Sequence, residues 1–223
     1  MRRLMFLVLF GLTGAGILIS LGVWQVQRLA WKEGVLAQIE ARLVDAPLPL
    51  PASPRAEVDR YMPVEVTGSF LPGELHVLVS IKRVGPGYRI IAPFETAEGR
   101  RILIDRGFVP SDAKETARSA EPASIVGNLH WPRETDSWTP APELATNTWF
   151  ARDVPAMAVA LDTEPVLVIA RSETDPAVTP LPVDTAGIPN DHLQYAITWF
   201  SLAAIWSAMT VYFLRRSRAQ RQS

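Results

Sequence analysis

The stretch Asn190-Asp191-His192-Leu193-Gln194-Tyr195-Ala196-Ile197-Thr198-Trp199-Phe200 opens the run whose reading decides how this chain is built. From Leu193 to Leu214 no residue carries a charge. That run of about 22 residues, at about 1.5 Å each, is enough to cross about 30 Å of hydrocarbon. A second apolar run, Leu4 to Val23, lies near the other end and follows Arg2 and Arg3. It passes directly into Trp24-Gln25-Val26-Gln27-Arg28 without a small-x-small cleavage site, so it reads as an uncleaved anchor rather than a signal peptide. The chain is therefore expected to be a membrane protein in which two transmembrane α-helices flank a β-rich (α+β) periplasmic domain.

Orientation follows from the basic residues. Arg2 and Arg3 precede the first span, and Arg215, Arg216, Arg218 and Arg221 follow the second, whereas only Arg28 and Lys32 lie on the inner flanks. The positive-inside rule then puts both termini in the cytoplasm and the central segment in a periplasm-like space, with Trp24, Trp31, Tyr195 and Trp199 near the outer interface. No Arg- and Ser-rich transit segment is present, which favours the inner membrane of a bacterium.

Between the spans the pattern divides into segments. The first helix (4–26) continues as a helical extension, with Leu36, Ile39 and Leu43 on one face, into the proline-rich tether around Pro47, Pro49 and Pro51 (27–54). A second proline-rich tether (172–191) leads to the second span (192–214) and a basic cytoplasmic tail (215–223). The intervening 55–171 reads as one β-rich domain. Its strands are Val64–Thr67, His76–Ile81, Tyr88–Ile91, Arg101–Ile104, Ser124–Trp131 and Val166–Ala170. Turns at Gly85-Pro86-Gly87 and Glu98-Gly99 separate some of them, and few helices intervene, which favours an antiparallel barrel or sandwich. One helix is expected over Val154–Leu161, with Asp153 as its N-cap and Pro155 at its first position. Gly11 with Ala15, and Ala204 with Ala208, give each span a small-residue spacing that permits close helix contact.

Of the 223 residues 48% are hydrophobic, the net charge is -1, and cysteine is absent. The balanced charge argues against a nucleic-acid partner. Without cysteine there are no disulfides, thiolate zinc sites or cysteine-based copper transfer. No nucleophile elbow, HExxH, P-loop or dinucleotide fingerprint occurs.

His192 is the most suggestive residue for chemistry. Imidazole beside lipid calls for a partner, and the positive end of the helix dipole disfavours its protonation, which keeps a ring nitrogen able to bind iron. It heads an aromatic face with Tyr195, Trp199 and Trp206, a surface suited to a planar, metal-bearing ligand. Its other reading is an interfacial histidine hydrogen-bonded to the tether or to headgroups. Trp24, Arg28 and Trp31 share a face just above the first span. With His192, Tyr195 and Trp199 opposite, they could close an aromatic pocket in which Arg28 neutralises a propionate or a lipid phosphate; alternatively Arg28 snorkels to headgroups. His76 is expected at the surface or half-buried, and His130 is a weaker ligand candidate. Asp105 and Arg106, at the end of an apolar strand, form either a charged site or an ion pair that closes the strand. The turn at Gly85–Gly87 either approaches a ligand or only connects strands.

Four segments carry a resemblance that single motifs do not. Leu21-Gly22-Val23-Trp24-Gln25-Val26-Gln27-Arg28 with Trp31-Lys32, Gly85-Pro86-Gly87-Tyr88 leading to Pro93-Phe94, Ile104-Asp105-Arg106-Gly107-Phe108-Val109-Pro110, and Asn190 to Trp199 occur in this order across nearly the whole chain. Together they resemble the surfeit locus protein 1 (Shy1) family of cytochrome c oxidase assembly factors. Phe108 stands where that family usually has tryptophan, and Asp191 where asparagine is frequent. The resemblance implies a role in building the haem–copper centre of an aa3-type oxidase. It also implies haem a bound as cargo through the second-span histidine, here His192, and passed to oxidase subunit I, with the haem a synthesis machinery and membrane lipid as further partners. Tyr195, Trp199, Trp24 and Arg28 as pocket lining rest on helical spacing and not on the family. On this reading the protein is not an enzyme. A scaffold that holds an oxidase intermediate without haem, and a membrane enzyme using Asp105 or His192 as acid or base, are the competing classes.

Overall fold

In the computed structural model, which describes residues 2–219, the elements run α1 (Arg2–Leu43), β1 (Leu48–Pro49), α2 (Ala56–Asp59), β2 (Pro63–Phe70), β3 (Leu75–Ile81), β4 (Gly85–Thr96), β5 (Arg101–Pro110), β6 (Pro122–His130), β7 (Thr148–Trp149), α3 (Val154–Leu161), β8 (Leu167–Ala170) and α4 (His192–Ala219). Arg221, in the basic tail, lies outside the described residues. Two compact units result: one joins the chain up to Gln38 with the chain from Thr185, and the other runs Ile39–Asp184.

The helical unit pairs the first part of α1 with α4. Their most apolar stretches have mean hydropathies of 2.4 and 1.5, and only 6% of each is buried. A core helix of a soluble domain would be mostly buried, so these helices present apolar surface outward and are long and apolar enough to cross a membrane. Glycines set their contact face. A Cβ on Gly11 would fall 2.2 Å from Thr210 Cγ2, one on Gly14 2.4 Å from the Trp206 ring, and one on Gly22 2.7 Å from Phe200. Trp206 Nε1 donates to the Gly11 carbonyl at 3.0 Å, an additional acceptor for an indole that would otherwise face an apolar medium. On α4 the buried small residues are Ala196 and Ala203. Ala204 and Ala208, expected at the contact, are exposed: they lie one helical step off the stripe that Trp206 and Thr210 define.

The sheet unit is built around a ring. β2 pairs with β6, β6 with β8, β8 with β5, β5 with β4, and β4 returns to β2 through Gly68–Phe70 against Phe94–Thr96. β3 and then β7 extend the sheet from β4, and β1 lies beside β2. Of the barrel and the sandwich that the sequence left open, the ring is barrel-like, and the sheet is mixed where an antiparallel one was expected: β5–β8, β3–β7 and β1–β2 are parallel. The long connection through α3 is what permits the β5–β8 pair to be parallel.

Alternation along the strands produces two cores. Val64, Val66, Phe94, Ile102, Ile104 and Val168 fill one side, whereas Leu103, Leu167 and Ile169 face Met157 of α3 and Trp149 of β7 on the other. Covered on both faces, β5 is buried without a break from Ile102 to Val109, and its central Asp105 and Arg106 are buried with the apolar residues. α3 forms over Val154–Leu161 as its sequence predicts. Asp153 Oδ1 accepts from Ala156 N at 3.2 Å, and Pro155 occupies the second helical position, not the first.

Further expectations change. Gly85-Pro86-Gly87 lies inside β4, and the turn falls at Lys82–Val84. Gly87 is needed there because a Cβ would meet Val109 O at 2.2 Å and the Phe108 ring at 2.4 Å. The first proline-rich tether is extended, but its Leu48–Pro49 pairs with β2. In the second, Thr179 bridges Phe108 and Val178 is buried against Ile90 and Val109. Both tethers carry apolar residues that a solvated linker would leave in water. The last turn of α1 also belongs to the sheet unit: Asn128 Nδ2 donates to Leu43 O at 3.1 Å, Arg171 donates to the same carbonyl, and Arg171 Nε holds Asn128 Oδ1 at 2.9 Å. These donors satisfy a helix-end carbonyl that has no partner within the helix.

Candidate functional site

His192 is the first residue of α4 and is partly buried. Across from it on α1, Gln25 is 8% exposed, and its Oε1 lies 2.7 Å from His192 Nδ1. An amide oxygen only accepts, so Nδ1 is the donor, and in the neutral ring the lone pair then lies on Nε2. Metal-binding histidines commonly have their second nitrogen held in this way, which sets both tautomer and ring direction. Gln25 shares a helical stripe with Gly22 and Gly11, the residues against which α4 packs. A lone uncharged polar residue on that small-residue stripe was the available sequence signal, and sequence reasoning passed over it.

The other candidates on the two long helices are more exposed than Gln25. Trp24, next to Gln25, is 53% exposed, and Tyr195 is 56% exposed. Trp199 is partly buried. Arg28 is exposed, with its guanidinium 4.1 Å over the Trp31 ring, one turn along the same helix. The structure thus brings His192 together with Gln25, while Trp24, Tyr195 and Arg28 stand on the outer surfaces of their helices.

Asp105 and Arg106 do not pair with each other. A bulge in β5 places Ile91 opposite Asp105 and Ile90 opposite Gly107, so Arg106 is the extra residue and the two charges leave the strand in different directions. Asp105 has no exposed surface. Its Oδ2 accepts from Arg89 at 2.5 Å and from Arg152 at 3.2 Å, and its Oδ1 accepts from Gly107 N at 3.1 Å. Arg152 continues to Glu134. Burial opposes ionisation of Glu134, but the Arg152 hydrogen bonds and charge outweigh it and hold the carboxyl below its ordinary range. With its acceptors already taken by protein donors, Asp105 is structural, the ion-pair reading with different partners.

His130, the last residue of β6, stacks on Tyr61 at 5.4 Å between ring centres. Burial first, then the charges of Arg152 and Arg60, push its pKa down to about 4. His76 is 4% exposed, not a surface residue, because its Nε2 finds Glu74 Oε1 at 2.7 Å. Among the described residues no cluster of three or more histidine and carboxylate side chains could hold a metal ion. A metal at His192 would therefore have to bring most of its own ligands, as the iron of a porphyrin does.

Two paired apolar helices, one of them headed by an imidazole held from the other, with a mixed-sheet domain inserted between them in the chain, define a class of two-helix protein. A family model described as the SURF1 family matches residues 12–204, and the chain belongs to that family, which is tied to cytochrome c oxidase assembly. Among relatives, a SURF1-like protein of Rickettsia felis is 34% identical over 90% of this chain and 92% of its own length. A SURF1-like protein of Monosiga brevicollis is 35% identical over 91% and 85%. The human Surfeit locus protein 1 is 29% identical over 84% and 71%.

Proposed function

We propose that this chain is a membrane-anchored assembly factor for an aa3-type cytochrome c oxidase, one that binds haem a as cargo through His192 Nε2 and assists its insertion into subunit I. The observation that carries the reading is the Gln25 Oε1–His192 Nδ1 bond, which presents the one nitrogen able to ligate iron in a fixed direction. Family membership and two outward-facing apolar helices support it. By the charge bias of the flanks, both termini are cytoplasmic in a bacterial inner membrane and the sheet unit is periplasmic. Exposed Trp24 and Tyr195 suit the membrane interface, where amphipathic rings are favoured, and Arg28 with Trp31 suits a headgroup or a propionate. The protein's part is to hold and orient; no reaction is assigned to it.

The experiment is to purify wild type and His192→Ala from a host that makes haem a and record visible spectra. A haem a band present in wild type and absent from His192→Ala supports cargo binding. If neither protein carries haem, the reading fails, and a scaffold for an oxidase intermediate takes its place.

A further inference from the structure

The sheet unit contains a cavity of about 320 Å³ between the end of β2 and the segment after β5, with Phe70, Leu71, Pro72, Ala92, Arg106 and Arg118 on its walls. This volume lies at the lower end of the range for small-molecule sites, about 300–1,000 Å³. Two buried guanidiniums share it. The Arg106 side chain is 3% exposed and the Arg118 side chain 4%.

Arg106 is fixed from behind: Nε donates to Thr174 Oγ1 at 3.1 Å, Nη2 donates to Thr174 O at 3.2 Å and lies 3.6 Å from Asp175, and the group stacks 4.0 Å over the Phe70 ring. Arg118 donates to Glu74, Ala113 O and Lys114 O. Its Nε is buried with no partner, and Arg106 makes its bonds to Thr174 through Nε and Nη2. Glu74 cannot serve both guanidiniums in full, since it also holds His76. Asp175 is occupied by the amides of Ser119 and Ala177. Lys114, also on the wall, is drawn to Thr148 Oγ1 and the Tyr88 ring.

An orphan N–H beside two desolvated cations is costly unless an anion completes the set. The planar forks favour an oxyanion taken in bidentate fashion, and the apolar walls favour a body attached to it. We propose that this cavity binds a small carboxylate with an apolar body, held by Arg118 Nε and Arg106 Nη1.

The test uses the full chain in lipid nanodiscs, with para-fluorobenzoate as probe and fluorine NMR as readout, against empty nanodiscs. Saturable binding is expected, with none for the uncharged para-fluorobenzyl alcohol. Arg118→Lys, which keeps the charge and loses Nε, should weaken binding about tenfold or more. Ala117→Trp, at an exposed position on the cavity wall, should block the cavity without touching either guanidinium. It keeps the proposal testable if Arg118→Lys fails to fold. No saturable binding, binding unchanged in Ala117→Trp, or binding of inorganic phosphate with none of the carboxylate would each overturn the assignment.

Discussion

Gln25 Oε1 and His192 Nδ1, 167 residues apart in the chain, meet at 2.7 Å. A partner of this kind usually changes metal affinity by about 10–100-fold when removed. In a haem a titration followed by visible absorbance, Gln25→Leu should weaken binding within that range, Gln25→Glu should retain it, and His192→Ala should abolish it. Equal affinity in Gln25→Leu and wild type would remove Gln25 from the site.

The contact between α1 and α4 can be tested covalently because the chain has no cysteine. A Cβ on Gly11 falls 3.1 Å from Thr210 Cβ, so a small outward shift reaches the separation of about 3.5–4.5 Å that a disulfide spans. Gly11→Cys with Thr210→Cys should cross-link under mild oxidation, seen as a shift in non-reducing electrophoresis. Gly11→Cys with Ala208→Cys should not, since Ala208 is exposed on another face.

Asp105 lies between Arg89 and Arg152 with no exposed surface. Asp105→Ala leaves two guanidiniums without their shared anion and should cost about 3–5 kcal/mol in chemical denaturation of the sheet unit. Arg101→Ala removes pairs that are about half exposed and should cost less than about 1 kcal/mol.

His130 makes stability depend on pH. Its folded pKa of about 4 lies below the unfolded value of about 6.5, so between these limits the unfolded chain binds the extra proton. The stability from neutral His130 is therefore complete above about pH 6.5 and is lost as pH falls towards about 4, by at most about 3 kcal/mol. His130→Phe keeps a ring to stack on Tyr61. Hydrogen exchange of the β6 amides should show a flatter response in this window for the variant than for wild type.

Met157 on α3 has no exposed surface and packs on the outer face of β5 and β8. Met157→Ala should cost about 2–5 kcal/mol, measured as a lower denaturant midpoint, while Val159→Ala, at 85% exposure, should be nearly neutral.

Local chemistry made much of this protein legible from its residues alone. Uninterrupted apolar length marked both long helices, alternation located the main strands, and Asp153 followed by Val154-Pro155 marked α3, because each depends on neighbours within a turn or a strand. His192 stood out because a titratable ring at the head of an apolar helix is conspicuous in one dimension. Pairing partners distant in the chain were decided only by the tertiary structure. The parallel β5–β8 pair depends on a crossover, and the separation of Asp105 from Arg106 depends on a bulge set by the opposing strand. The small-residue spacing at Ala204 and Ala208 was real, but the face used is set by where Trp206 and Thr210 find Gly14 and Gly11. Gln25 in place of Trp24 beside His192 has the same origin: sequence places both near the mouth of the pair, and only the rotation of α1 against α4 selects which one turns inward.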